Sequence, residues 1–361
     1  MMSTDAVQSN HSQNNQSWNV KPAKPWQIRP RQLAENIGIV VLILVLTPFL
    51  LDRTPLNGKL GGAFIIFALA ILFSSLAAFV RQGSKGLSNA LAQVFILSAT
   101  VLVLLPLASL LFTVIMKGKD AIRWNTFTTD MRITQPDAPF TEGGALHAIV
   151  GTAIIVAIAT IVCVPIGVLT ALYLTEIKGR FERLVRFLIQ AMSGVPSIVA
   201  GLFIYTVLIV TFGLKYSGFA GALALSILML PTVARTAEEV LKLVPEDIRG
   251  ASYALGSRQW RTILYVVLPT VRSGLTTAAI LGVARVIGET APLLLTSLSN
   301  TSFVFNPLNG PMASMPMYVF GLLQIGTEYA IARAWAGSLV LLLIVFALFI
   351  VARKIGGKDR R

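Results

Sequence analysis

Arg285 and Glu289 stand four positions apart inside "GLTTAAILGVARVIGETAPLLLTSL", a run that carries no other charge. Residues at i and i+4 share a helix face, so the two side chains can pair. With a helix starting near Gly274 and rising 1.5 Å per residue, Arg285 lies about 17 Å along it, the middle of a ~30 Å hydrocarbon core. Placing an arginine there costs roughly 2.5–3.5 kcal/mol on insertion scales, which makes it a functional candidate by default. A guanidinium is a rigid fork of donors that fits an oxyanion and stays charged when dehydrated. The chemistry on offer is passage of an anion, with Glu289 holding the fork and disfavouring over-tight retention. The plainer reading is a structural ion pair that joins helices. Gly288 and Pro292 of "GETAP" weaken the helix beside the charges.

Three other positions add polar groups to the same kind of route. Ser193 and Ser197 in "SGVPSIVAG" offer hydroxyls on either side of Pro196, where a kink and close helix packing are expected. Packing is the simpler role for them. Arg235 in "LPTVARTAEE" falls at the end of an apolar run beside Glu238 and Glu239. It is placed either to release an anion or to anchor the helix at the membrane edge.

Between two apolar runs lies a short polar insertion, "VPEDIRGASYALGSRQWRT". Pro245 can open a helix, and Glu246 and Asp247 then sit in its first turn, where the helix dipole favours negative charge. Ile248, Ala251, Ser252 and Leu255 recur at helical spacing and give one less polar face. Gly256 suits a left-handed stop, and Ser257 can cap the next helix. A helix of about 245–257 of this kind is either a lever for a partner protein or an interfacial helix resting on lipid headgroups.

These groups must be positioned by membrane helices. Of the 361 residues, 55% are hydrophobic and 13% charged, and the apolar residues form long runs. Solid runs, rather than alternating ones, mean helices and not a barrel. Eight spans are expected: Asn36–Leu51, Leu60–Val80, Leu91–Met116, His147–Thr175, Phe187–Phe212, Phe219–Val233, Gly274–Leu298 and Ala330–Ala352. With the N-terminus inside, 21 Lys and Arg fall on the cytoplasmic side and 7 outside. That asymmetry accounts for the net charge of +14 without a nucleic-acid partner, and it sets both termini inside.

The chain then divides into a polar, disordered tail (1–35), an N-terminal helical hairpin (36–80), a larger helical domain (91–352) and a basic tail (353–361). The polar tail has no apolar core of the signal-peptide kind, so the first apolar segment stays as an uncleaved helix. Two long loops are expected outside, "KGKDAIRWNTFTTDMRITQPDAPFTEGG" and "NTSFVFNPLNGPMASMPMYVFGLLQIGTEY". Both can touch a soluble partner, though Pro and Gly are ordinary loop residues. The sequence has no phosphate-cradling G-x-x-x-x-G-K-[ST] loop and no H-E-x-x-H, and its two histidines, His11 and His147, cannot make a metal cluster. A membrane enzyme therefore finds no support. Cys163 is the only cysteine, which excludes an intramolecular disulfide.

The insertion resembles the cytoplasmic motif of ABC importer permeases, E-A-A, three residues, G, nine residues, I-x-L-P. It reads Gly250-Ala251-Ser252, Gly256, then Val266-Val267-Leu268-Pro269, with Gly, Ser and Val replacing the motif's Glu, second Ala and Ile. "GGALHAIVGT", "VPIGVLTALYLTE", "SGVPSIVAGLF", "LKLVPEDIRGASYALG" and "ARVIGETAPLLLT" together resemble the PstA-type permeases of phosphate importers, over about 91–352. The resemblance implies an all-α polytopic fold: a six-helix type I permease core, to which the N-terminal hairpin is additional. It implies a non-catalytic subunit in the inner membrane of a bacterium, with a sister permease, two ATP-binding subunits and an external phosphate-binding protein. ATP and magnesium would be held by the partner ATPase, with no cofactor in this chain. Arg285, Glu289 and Arg235 are the implied charged pathway residues. Glu246, Asp247, Ala251, Ser252, Tyr253 and Gly256 belong to the implied coupling helix, where the first two would replace the missing motif Glu. Other oxyanions, or an ion-coupled carrier, are the alternatives.

Overall fold

The structure, a computed structural model, describes residues 30–53 and 59–356. The polar N-terminal stretch before Pro30 and the last five residues lie outside it. Two compact units divide at Ala108 and Ser109.

The first unit is formed by α1 (Pro30–Leu51) and the first part of α2 (Lys59–Gly118). Gly83 interrupts α2 with φ 64° and ψ −147°, a region open to glycine and strained for other residues. The segments on either side fold back on one another, since Phe67 and Phe95 meet edge-to-face at 5.8 Å. The linker expected between the second and third runs is therefore helical, with its reversal concentrated at one glycine. Ile43, Ile65 and Leu69 make the small core of this unit.

The second unit contains the remaining elements: α3 (Asn125–Thr128), α4 (Leu146–Leu172), α5 (Glu182–Ser193), α6 (Ser197–Ile204), α7 (Gly218–Lys242), α8 (Glu246–Ala254), α9 (Gln259–Thr262), α10 (Leu268–Val286), α11 (Ala291–Thr296), α12 (Met315–Ile325) and α13 (Glu328–Gly356). Wide π-helical turns prolong α4 to Ile177 and α6 to Thr211, and join α9 to α10. Helix α7 is the centre of the packing. Leu225, Met229 and Val233 are fully buried against Ile155, Ala159 and Cys163 of α4 and Val286 of α10. Gly167 and Gly282 both face Val233, where an added Cβ would come within 3 Å, so small residues let the three helices approach closely.

Among the described residues six helices are long and apolar enough to cross a membrane, or seven if a bent pair counts as one span. Three expectations are corrected. Asn36–Leu51 is apolar but falls below that length. The expected Phe187–Phe212 span is two helices, α5 and the prolonged α6, bent by 107° where Gly194 and Pro196 stand. The expected Gly274–Leu298 span is displaced: one helical run extends from Gln259 to Val286, then breaks before α11. The second long loop also contains a helix, α12, which packs on α13 across the left-handed Gly326.

Candidate translocation face and coupling helix

Arg285 lies in the last turn of α10, exposed, and its Nη1 donates to Thr232 Oγ1 on α7 at 3.0 Å. Its other guanidinium nitrogens make no hydrogen bond among the described residues. Glu289 does not pair with it. Helix α10 ends at Val286 and the Glu289 N–H closes a turn onto the Val286 carbonyl at 3.1 Å, so the i+4 register that would align the two side chains is lost. Gly288 and Pro292 explain the stop: one is a poor helix former and the other sits in the first turn of α11.

Arg235 follows Thr232 by three residues on α7, so the two arginines address the same stretch of that helix. Arg235 is exposed and lines a cleft of about 420 Å³ with Arg186, Gln190, Glu238 and Glu239. The buried Glu238 carboxylate is already neutralised by Arg186 at 2.7 Å and Lys242 at 3.1 Å. Arg235 makes no ion pair among the described residues. Ser193 and Ser197 flank the α5–α6 bend, and Ser193 Oγ donates back to the Ile189 carbonyl at 2.9 Å. Neither serine bonds to Arg285 or Arg235 among the described residues.

The insertion folds as its local signals require. Pro245 is the N-cap of α8, Glu246 and Asp247 occupy its first turn, and Gly256 stops it at φ 76°. Ser257 does not cap α9; Arg258 takes that position, with no side-chain cap. The less polar face is for the most part open. Ile248, Ala251, Tyr253 and Leu255 are exposed together with Glu246, Asp247 and Gly256, and of the six expected coupling residues only Ser252 is buried. Its hydroxyl meets Thr262 Oγ1 at 2.9 Å. A Cβ at Gly250, the place of the motif's acid, would meet nothing within 4 Å.

Residues 163–358 match the family described as the binding-protein-dependent transport system inner membrane component. The chain belongs to this family. A relative from Mycobacterium tuberculosis (strain CDC 1551 / Oshkosh), "Phosphate transport system permease protein PstA 1", is 38% identical over 273 residues, 75% of this chain and 89% of its own length. "Phosphate transport system permease protein PstA" of Yersinia pestis is 38% identical over 283 residues, 78% and 94%. The protein of the same description from Pasteurella multocida is 39% identical over 247 residues, 68% and 85%. The matched region of this inner membrane component starts in α4 and takes in α7 to α13, so the Arg285 face and α8 both lie within it.

Sequence reasoning missed one ion pair and two sets of side-chain-to-backbone bonds that fix these elements in the transport component. Arg249 of α8 reaches Glu176 at the end of α4, with Nη2 to Oε1 at 2.8 Å and Nε at 3.2 Å from both oxygens. Arg333, buried in the first turns of α13, donates to the carbonyls of Ala138, Pro139 and Glu142 at 2.8–3.0 Å. That contact ties the loop after α3 to α13. The same loop is joined to the segment after α11 by Asp130, whose Oδ2 accepts from the Phe303 N–H at 3.0 Å. The one local signal was that Arg249 and Ser252 are three residues apart and so share a face.

Proposed function

We propose that this chain is the permease subunit of an ATP-driven importer of inorganic phosphate, forming half of the translocation pathway. The reading is carried by 38% identity across 89% of a relative described as a phosphate transport permease. Arg285 supports it chemically. An exposed guanidinium with one nitrogen held by Thr232 leaves donors for a dehydrated oxyanion at a helix break. Arg235, one turn away on α7, would receive the anion next, while Glu289, Ser193 and Ser197 flank the route. A sister permease would face this surface and close it.

As a permease subunit the chain is non-catalytic. ATP and magnesium are placed on two separate ATP-binding subunits, which would dock on the open face of α8 formed by Glu246, Asp247, Ala251 and Tyr253 with Gly256 at its end. Closure of those subunits would move the spans as rigid bodies. An external phosphate-binding protein would deliver the ligand to the loops around Asp130 and Phe303. The subunit belongs in a bacterial inner membrane, and we place both termini on the cytoplasmic side. An ion-coupled carrier is disfavoured because it needs no exposed docking helix.

The test is uptake of radiolabelled phosphate by vesicles that contain the complete complex, with sulfate and arsenate as competitors. ATP-dependent uptake that arsenate inhibits and sulfate does not is the expected result. Uptake that proceeds without ATP, or that sulfate suppresses as well as phosphate does, would overturn the reading.

A further inference from the structure

We propose that Arg249 and Glu176 are positioning residues that make α8, α4 and α7 move as one body, so that a push on α8 reaches the pathway. This rests on the reading of α8 as the docking helix. Arg249 is the hub. Besides Glu176, its guanidinium donates to the carbonyls of Leu241, at 3.1 Å, in the last turn of α7, and of Val244, two residues past its end. A cation there also suits the negative end of the helix dipole. One side chain thus joins the end of α4, the end of α7 and the middle of α8.

The pair is well shielded, with Arg249 17% and Glu176 4% exposed at the side chain. Gln259, at the start of α9, adds a bond from Nε2 to the Glu176 carbonyl at 2.8 Å. The buried Ser252–Thr262 contact locks α8 onto α9. Without the brace α8 would still be held to the α9–α10 run by Ser252–Thr262, but it would be joined to α7 through the short connection Leu243–Pro245. With it, displacement of α8 carries α7, and Arg235 and Thr232 lie on α7. The fork geometry matters as well as the charge, because the same guanidinium serves a carboxylate and two carbonyls.

The experiment measures phosphate uptake and ATP hydrolysis in the same vesicles of the complete complex, for the parent, Glu176→Gln and Arg249→Lys. Both variants keep the shape of the site and change one property each. The expected result is a complex that retains its ATPase and hydrolyses ATP, with uptake per ATP reduced about tenfold, inside the usual range of coupling factors. An uptake-to-hydrolysis ratio within about twofold of the parent overturns the brace, as does loss of the ATPase from the purified complex, which would mean a role in folding alone. Failure of the parent itself to take up phosphate overturns the functional reading and the brace with it. Parent uptake with an unchanged ratio in both variants overturns the brace alone.

Discussion

The Arg285 guanidinium is held by the Thr232 hydroxyl at 3.0 Å, a contact that joins the last turn of α10 to the central helix α7. It is a neutral partner on a neighbouring helix, where a carboxylate on the same helix was expected. A hydroxyl orients the fork without cancelling its charge, so the attraction for an anion is preserved.

Arg285→Ala is therefore expected to abolish uptake, by at least about a hundredfold, while the complex assembles normally, because truncating an exposed side chain changes stability by only about 0.5 kcal/mol. Arg285→Lys keeps the charge and loses the fork, and uptake should fall about tenfold. Thr232→Val should give a smaller loss, about threefold, as the guanidinium loses one tether of about 1 kcal/mol. Uptake normalised to purified complex checks all three. Normal transport by residual complexes of a poorly assembled Arg285→Ala variant would point to a structural residue instead.

Glu289 provides a sharper test of the geometry. Since α10 ends before it and no ion pair is formed, a double-mutant cycle of Arg285→Gln and Glu289→Gln on uptake should give a coupling energy under about 0.5 kcal/mol. A coupling of 2 kcal/mol or more, on the order expected of close charged partners, would restore the paired arrangement.

On α8, Gly250→Glu should fold at least as well as the parent. The position is exposed, a side chain meets nothing within 4 Å, and replacing glycine inside a helix gains about 0.5–1 kcal/mol. The complex should keep its ATPase. Gly256→Val is expected to behave oppositely, because a β-branched residue at φ 76° costs about 1–2 kcal/mol and moves the end of α8. Co-purification of the ATPase after a salt wash distinguishes the two, and loss with Gly250→Glu would contradict the open face.

How far these features were legible depends on their range in sequence. Pro245, Glu246 and Gly256 act on their immediate neighbours, so helix α8 and its stop could be read directly. The α5–α6 bend could be read as a kink at Pro196 but not as a turn of 107°, because Phe187–Phe212 is apolar on both sides of it and hydropathy records the run but not its direction. Arg285 was recognisable as a charge in an apolar run, yet both its partner and its place in the span, next to the end of Gln259–Val286 and not at the middle, depended on where α10 begins and ends. Arg249 and Glu176 are 73 residues apart, and nothing in one sequence links them. The bonding of Arg333 was hidden for the same reason, since its acceptors are backbone carbonyls, which every residue carries.

Arg333 should be among the most sensitive positions for stability. Its guanidinium is buried and serves three carbonyls, so Arg333→Ala leaves several acceptors unpaired and should cost about 3 kcal/mol or more. All three bonds come from one nitrogen, Nη2, so lysine keeps a charged donor but loses the rest of the planar guanidinium and should recover only part of the loss. The readouts are the unfolding temperature of the solubilised complex and protease nicking between Met131 and Glu142. Unchanged nicking in Arg333→Ala would show that the loop is held by other contacts.

The Asp130 bridge gives a prediction with a defined sign in pH. Burial acts to raise its carboxyl, but the Phe303 and Arg132 backbone N–H groups outweigh that effect and hold it below the ordinary carboxylate value. A group depressed in the folded state adds stability above its unfolded value of about 3.9, and that stability is lost as pH falls through the folded value. The contact between the loop after α3 and the segment after α11 should therefore be intact at neutral and mildly acidic pH. Asp130→Asn should remove the charged acceptor at any pH. Hydrogen exchange over 299–314 is expected to be faster in Asp130→Asn than in the parent at pH 7, and the two should converge only below about pH 3.9. Equal exchange at pH 7 would mean that the Met131 N–H to Thr301 carbonyl bond, 3.0 Å long, holds the two segments by itself.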